Sequence, residues 1–265
     1  MTSPIVVPLM RDIIDATGKD TRSFLHSQLS NDIMSLPVGA SRYAFVLEPT
    51  GKLSALLRVQ CVADDHFVLD VDAGCGVAAL ARLNKFKIRV QCEFVLTTET
   101  ITAVRGLRPD ARAQWCARPN AVAAWRESDG AVDVFAVPES NSVQGNDSAL
   151  LRERVRCAWP VFGIDIDDTS LPAETGLVDV AVSFTKGCYP GQELVERMDS
   201  RGSTAPRRLM RLPAEVDAQS ARAVAGEPYR AAGVELGRCT SVAGDYALVL
   251  VSRAHLNQAE ALQIS

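Results

Sequence analysis

The residues Phe184–Glu193, FTKGCYPGQE, concentrate more reactive chemistry and backbone constraint than any other stretch of the chain. Cys188 supplies a thiol, and Lys186 stands two positions before it. In an extended segment that spacing sends both side chains from one face. An ammonium beside a thiol favours the thiolate, the form that reacts or binds metal. Gly187 between them leaves room for another backbone or a ligand. Pro190 fixes its own φ and pushes Tyr189 into an extended conformation. Pro190–Gly191 suits the two central positions of a type II turn. Gln192–Met198 then reads as a short helix with Leu194, Val195 and Met198 on one side. Glu193 falls in its first turn, where a carboxylate complements the helix dipole, and stands i,i+4 from Arg197. Strand, turn and helix start would bring Cys188 near a helix N-terminus, a second influence toward the thiolate. The plainer alternative is a small buried hydrophobe beside an ordinary Pro-Gly turn.

The elements that must position this stretch follow from periodicity and turn residues. Asp12–Thr17 reads as a strand, Gly18–Lys19–Asp20 as a turn, and the residues after it as a helix with Phe24, Leu25 and Leu29 inward. Tyr43–Leu47 and Leu53–Cys61 form a hairpin about Glu48–Pro49–Thr50–Gly51. Phe67–Val71 is a strand, Val77–Phe86 a helix, and Ile88–Phe94 and Ile101–Val104 are strands. Ala121–Trp125 and Val132–Val137 frame a hairpin, and Ala149–Cys157 is a helix. After Gly202, the segments Arg207–Leu212, Glu235–Cys239 and Tyr246–Val251 are short strands between Gly and Pro. Residues 1–205 are thus expected to form the body and residues 206–265 a small all-β domain.

Composition sets limits. A chain of 265 residues with 47% hydrophobic and 23% charged residues can bury a large core as a soluble globular protein. A net charge of -4 argues against a polyanion-binding role for the chain as a whole, so no direct nucleic-acid binding is expected. The seven cysteines are scattered and form no C-x-x-C pair. That disfavours a zinc site and fits a reducing compartment. With no signal peptide and no apolar run of ~20 residues, the expected location is the cytoplasm, with no membrane partner.

Three other features compete for a chemical role. Gly74–Cys75–Gly76–Val77–Ala78–Ala79 matches G-x-G-x-x-A between a strand and a helix, with Glu93 further on. The preceding strand alternates, however, with Asp70 and Asp72 on one face, whereas dinucleotide-binding strands are apolar on both. His26, His66 and His255 are far apart and read as surface or satisfied polar residues rather than metal ligands. Arg201, Arg207, Arg208 and Arg211 form a basic cluster that is either a solvated face or an anion contact.

The run Lys-Gly-Cys-Tyr-x-Gly-Gln-Glu, Lys186 to Glu193 with Pro190 at the variable place, resembles the signature of the YgfZ family of folate-binding proteins. These are relatives of the glycine-cleavage aminomethyltransferase. Asp15–Ile33, Tyr43–Val59 and Arg154–Asp165 resemble the family's N-terminal pattern, next hairpin and lead-in to the signature. The resemblance implies an α+β fold: antiparallel sheets and helices around a central cavity, then a small C-terminal β-barrel. It implies tetrahydrofolate or a one-carbon derivative as cofactor, and iron–sulfur client or assembly proteins as partners. It implies a supporting role in iron–sulfur cluster assembly or repair and in dependent tRNA modification. Cys188 is the implied functional thiol with Lys186 beside it. Gly187, Tyr189, Gly191, Gln192, Glu193 and Arg197 are the implied cofactor-binding positions, and no resident metal is implied.

One departure separates the branches. In aminomethyltransferases an Asp pair after the hairpin turn supplies the catalytic acid, whereas here Ser54 is followed by Ala55 and Leu56. One-carbon transfer needs a proton-handling residue at the folate nitrogen. An accessory protein is therefore expected before a folate-dependent aminomethyl or one-carbon transferase, and a nucleotide-binding oxidoreductase comes last. The carboxylate that would read a pteridine ring has candidates in Glu127, Asp129 and Asp133, with a solvated loop as the alternative. Lys186, Arg197 and Arg207 are candidates for a polyglutamate tail.

Overall fold

The structure is a computed structural model that describes residues 3–136, 143–200, 205–215 and 222–263. The chain runs β1 (Ile5–Thr17), α1 (Thr21–Gln28), β2 (Ser41–Leu47), β3 (Leu53–Ala63), β4 (His66–Asp72), α2 (Gly76–Asn84) and β5 (Glu93–Arg105). It continues through α3 (Pro109–Cys116), β6 (Ala121–Ala124), β7 (Ala131–Val134), α4 (Asp147–Arg156), α5 (Val178–Ala181) and α6 (Gln192–Ser200). The last part is β8 (Arg207–Pro213), β9 (Pro228–Ala231), β10 (Val234–Ala243), β11 (Tyr246–Ser252) and α7 (Leu256–Glu260).

The first seven strands form one antiparallel sheet in the order β2-β3-β4-β1-β5-β7-β6. Its centre is buried on both faces, which is why β3 is apolar almost throughout. Ala55, Leu57, Val59 and Cys61 point to a core with Phe24, Leu25 and Leu29 of the α1 region and Ala79 and Leu83 of α2. Leu53 and Leu56 join the other core, with Phe45, Leu47, Trp159, Ile166, Leu177, Tyr189 and Val195. From Ala55 on, the period-2 geometry of a strand delivers alternate residues to these two cores, and the register shift beside Leu53 lets that residue join the second.

The remaining strands form a four-stranded antiparallel sheet, β8-β11-β10-β9. Where a small barrel is expected, β8 and β9 are edges and the described strands do not close. This sheet is fastened to the body by polar and apolar contacts. Val155 of α4 packs with Leu209, Leu248 and Leu250. Asp165, fully buried, accepts from Thr240 Oγ1 (2.6 Å), Ser241 Oγ (2.7 Å) and Val161 N (3.0 Å) and pairs with Arg154. Arg154 also donates to Ser241 Oγ at 2.7 Å. Glu174, buried, holds Arg207 at 3.0 Å.

Several expected elements shift. Residues 88–92 are not a strand: Arg89 adopts φ +56°, and Ile88 stays exposed. β5 instead runs unbroken from Glu93 to Arg105, where two strands are expected. α3 and β9 are not among the expected elements; α3 buries none of its residues, and β9 is only four residues long. Arg201 lies outside the described residues, as do parts of the polar loop before α4. No helix among the described residues is long and apolar enough to cross a membrane.

The G-x-G-x-x-A turn lies between β4 and α2, but both neighbours of β4 are antiparallel. The turn amides already have an anion. Asp12 Oδ2 accepts from Gly74 N and Gly76 N, both at 2.9 Å, and Oδ1 accepts from Thr98 Oγ1 at 2.8 Å. A Cβ on Gly76 would meet Asp12 at 2.7 Å. Burial pushes the Asp12 carboxyl up, but these bonds and nearby Arg11 outweigh it and hold the pKa below the usual range. A group with a depressed folded pKa contributes stability above its unfolded pKa, ~3.9, and loses it as pH falls through the folded value. Asp12→Asn is expected to cost ~1–3 kcal/mol at neutral pH and to flatten the acid limb of the stability curve. Urea denaturation followed by circular dichroism across the acid range checks both; an unchanged acid limb would show that Asp12 carries none of it.

Candidate functional site

The signature residues form a loop, not the expected strand, between α5 and α6. Lys186 explains why. Its ammonium turns inward and donates to the carbonyls of His26 and Leu29 (2.6 Å for the latter), capping the end of α1. It also lies 5.0 Å from the Tyr189 ring centre. Burial lowers the Lys186 pKa to about 8, against the opposing pull of Asp32 and Cys188. The Lys–Cys pair is thus a half-buried amine beside an exposed thiol. A Cβ on Gly187 would meet only His26 Nε2, at 3.8 Å, so no close approach requires this glycine.

The turn is as expected. Gln192 N donates to Tyr189 O at 3.3 Å, and Gly191 adopts φ +82°. Its tightest neighbour is the hairpin turn before β3. A Cβ on Gly191 would lie 2.7 Å from Glu48 O and 2.9 Å from Gly51 Cα, while one on Gly51 would strike Leu194 at 2.7 Å. Two glycines with positive φ thus let the backbones of signature and hairpin touch. α6 follows, with Val195 buried. Glu193 and Arg197 are exposed and form no ion pair with each other. Gln192 Oε1 accepts from Tyr189 N at 3.2 Å, and Gln192 Nε2 donates to Glu196 on the next turn of α6. Of the seven cysteines, Cys188 alone is exposed, and none is in a disulfide. It lines a shallow groove with Pro49, Tyr189, Gly191, Gln192, Glu193 and Glu196.

A separate, deeper cavity of about 320 Å³ lies on the sheet face opposite α1 and α2. Its strand residues are Leu9, Arg11, Tyr43, Leu56, Asp72, Arg105 and Asp133. Trp125, Trp159, Val161 and Ile164 complete it with Asp147, Leu150, Leu151 and Arg154 of α4. Tyr43, Trp125 and Trp159 make an aromatic wall. The Tyr43 and Trp159 ring centres are 4.7 Å apart, and Trp125 stacks near-parallel to Trp159 at 6.2 Å. Trp125 is held at φ +57°, with its N–H donating to Tyr43 Oη at 3.0 Å. Such a φ on a bulky residue is strained and persists only where the surroundings impose it.

Below the wall runs a chain of alternating charges. Arg11 pairs with Asp72 and with Asp70 (2.7 Å), Arg58 with Asp70 (2.7 Å) and Asp133 (3.0 Å), and Arg105 with Asp133 (2.8 Å). Burial pushes the Asp133 pKa up, but Arg105, Arg58 and Arg11 prevail and hold it below the carboxylate range. Pairing by distance leaves hydrogen-bonding capacity over. Arg58 Nη2, Arg105 Nε and Asp133 Oδ1 are buried without an aligned hydrogen-bond partner. A flat heterocycle with donors and acceptors along its edge matches this wall and floor.

The implied cofactor-binding positions are elsewhere. Gly187, Tyr189, Gly191, Gln192, Glu193 and Arg197 do not line this cavity, because the signature packs on the outside of the β2–β3 turn. Of the candidate carboxylates, Asp133 reaches the cavity, Glu127 is exposed, and Asp129 accepts from Arg126 N at 3.0 Å. Arg207 is taken by Glu174. His26 accepts from Ile33 N and Met34 N at 3.3 Å, and His66 meets Asp15 at 2.6 Å. Sequence reasoning missed Arg11, Arg58 and Arg105. The available signal was charge at inward positions of apolar strands. Among the described residues, no three His, Cys, Asp or Glu side chains converge on a point that could hold a metal ion.

No protein-family profile matches the chain. In sequence it is similar to the tRNA-modifying protein YgfZ of Vibrio vulnificus (strain YJ016), with 25% identity over 249 residues, 84% of this chain and 76% of that protein. It is also similar to an iron–sulfur cluster assembly factor IBA57 homolog, mitochondrial, of Mycosarcoma maydis, with 25% identity over 219 residues, 74% of this chain and 54% of that one. Its fold is similar to that of the glycine cleavage system aminomethyltransferase T from Bartonella henselae, with a TM-score of 0.73 and 19% identity over 94% of this chain and 79% of that one. The protein therefore has the aminomethyltransferase-like α+β fold. Within that class its sequence is similar to proteins of the YgfZ family, which is related to the aminomethyltransferases.

A lysine whose folded pKa is lowered binds fewer protons than the unfolded chain between the two values, so stability rises with pH there. The charge-burial cost at Lys186 is fully present below about 8 and is relieved as pH climbs toward the ordinary lysine value of 10.5. Wild type is expected to gain stability over this window relative to Lys186→Met. Parallel stability–pH curves for the two proteins in urea would show that the ammonium is not buried at a cost.

Proposed function

We propose that this protein binds a reduced folate in the central cavity and supports iron–sulfur cluster assembly or repair, with dependent tRNA modification, through the thiol of Cys188. One observation carries the reading: the aromatic cavity and the single exposed thiol are separate sites, and the β2–β3 hairpin lines the one and packs against the loop that carries the other. Support also comes from the names of two relatives, a tRNA-modifying protein and an iron–sulfur cluster assembly factor. Tyr43, Trp125 and Trp159 would hold the ring, and Arg58, Arg105 and Asp133 its polar edge. When bound, the folate supplies a one-carbon donor or acceptor.

The signature then holds the thiol rather than the cofactor. Lys186 anchors the loop to α1, Gly191 seats it on the hairpin, and Gln192 braces Tyr189. A stable cluster usually takes four thiolates. Cys188 alone therefore needs ligands from an iron–sulfur client or assembly partner. Aminomethyl transfer is disfavoured because Leu56 lines the cavity after the hairpin turn, where the transferase pattern has a carboxylate.

Tetrahydrofolate titration followed by tryptophan fluorescence tests the first half, since Trp125 and Trp159 face the site. Wild type and Cys188→Ser are expected to bind equally, and Trp159→Ala at least ~10-fold more weakly. Loss of binding in Cys188→Ser would put the thiol in the pocket instead. Iron–sulfur enzyme activity in cells carrying Cys188→Ser tests the second half: it is expected to fall, and normal activity would remove the thiol from the account.

A further inference from the structure

The opposite shoulder of the same hairpin carries a second pocket that the folate reading does not use. It measures about 440 Å³ and is lined by Glu48, Lys52, Ser54, Arg82, Lys85 and Asp168, among others. Arg82 is its unusual member. It is 5% exposed, yet Nε and Nη1 are both buried without a hydrogen-bond partner. Nη2 donates to Leu47 O, and one face of the guanidinium lies 4.1 Å from the Phe86 ring centre. Glu48 comes within 3.2 Å of Nε, in an ion pair without hydrogen-bond alignment. The same Glu48 oxygen is already shared with Ser54 Oγ at 2.8 Å.

A buried guanidinium with idle N–H groups is costly, because desolvation is not repaid by bonds. Burial lowers the pKa of Arg82, and Glu48 offsets this only in part. Lys52 and Lys85 stand exposed around it, and neither is in an ion pair. With half-exposed Glu48 turned off Nε, a planar guanidinium edge flanked by two ammonium groups would match phosphate oxygens. Asp168, exposed and unpaired, is an acceptor for hydroxyl groups carried beside a phosphate.

We propose that this pocket binds the phosphate group of a small phosphorylated ligand, anchored by Arg82 and flanked by Lys52 and Lys85. The site is independent of folate and of Cys188. It shares their hairpin, since Glu48 and Lys52 line this pocket while Pro49 lines the groove beside the thiol.

Calorimetric titration at constant ionic strength, balanced with chloride, tests the assignment with inorganic phosphate and with ribose 5-phosphate as probes. Saturable binding of either is expected. Lys52→Gln/Lys85→Gln, which leaves the buried groups in place, is expected to weaken it at least ~10-fold, with tetrahydrofolate binding unchanged. Arg82→Gln should abolish it, provided tryptophan fluorescence confirms a folded chain. Tighter binding of ribose 5-phosphate assigns the ligand to sugar phosphates; equal binding assigns a free phosphate. No saturable binding of either probe, or equal affinity in the double lysine variant, overturns the proposal.

Discussion

The body of this protein depends on an alternating line of aspartates and arginines across one face of its main sheet. Antiparallel register sets much of it: Arg11 stands opposite Asp72, and Arg58 opposite Asp70. Asp70 lies between Arg11 and Arg58, and Asp133 between Arg58 and Arg105. No single pair would be safe at this depth, since breaking one buried ion pair typically costs ~3–5 kcal/mol. Sharing each inner carboxylate between two guanidinium groups offsets desolvation at the centre of the line. A slip of one residue in any strand would send its charges to the apolar core on the other face. The charges therefore pin the register and keep this face polar, which leaves a cavity floor where a closed apolar core would otherwise form.

The β2–β3 hairpin is where the parts meet. Tyr43 and Leu56 line the cavity, Gly51 receives the signature turn, and Glu48 with Lys52 faces the pocket of Arg82. Its strands are buried on both sides, so the turn is presented by a stiff base. The cavity, the groove beside Cys188 and the pocket of Arg82 thus all adjoin one turn.

Much of this was legible in the sequence, and the failures have physical causes. The hairpin, the Pro190–Gly191 turn and the helix after it follow from local turn chemistry, which tertiary packing has no reason to override. Lys186–Cys188 reads as strand from spacing alone, but two helix-end carbonyls draw the ammonium inward and make a loop. Residues 88–92 read as strand from their apolar residues, and Arg89 breaks it. The most instructive case concerns Asp70 and Asp72. Alternation in β4 correctly argued against a dinucleotide-binding strand, yet the polar face it marks is not solvated. Asp70 is 2% exposed, because its partners come from β1 and β3, far away in sequence. Alternation reveals that two faces differ; it cannot reveal which one meets water.

Asp165 has a consequence for how the chain can be divided. A cut near residue 206, attractive from composition, would remove Thr240 and Ser241 and leave the carboxylate with Arg154 and one backbone amide. Arg154, a wall of the cavity, would lose its own bond to Ser241. A compositional seam is thus not an energetic one. The shortened polypeptide would expose an ionic wound beside its own aromatic cavity, and the two sheets should melt together as one cooperative body.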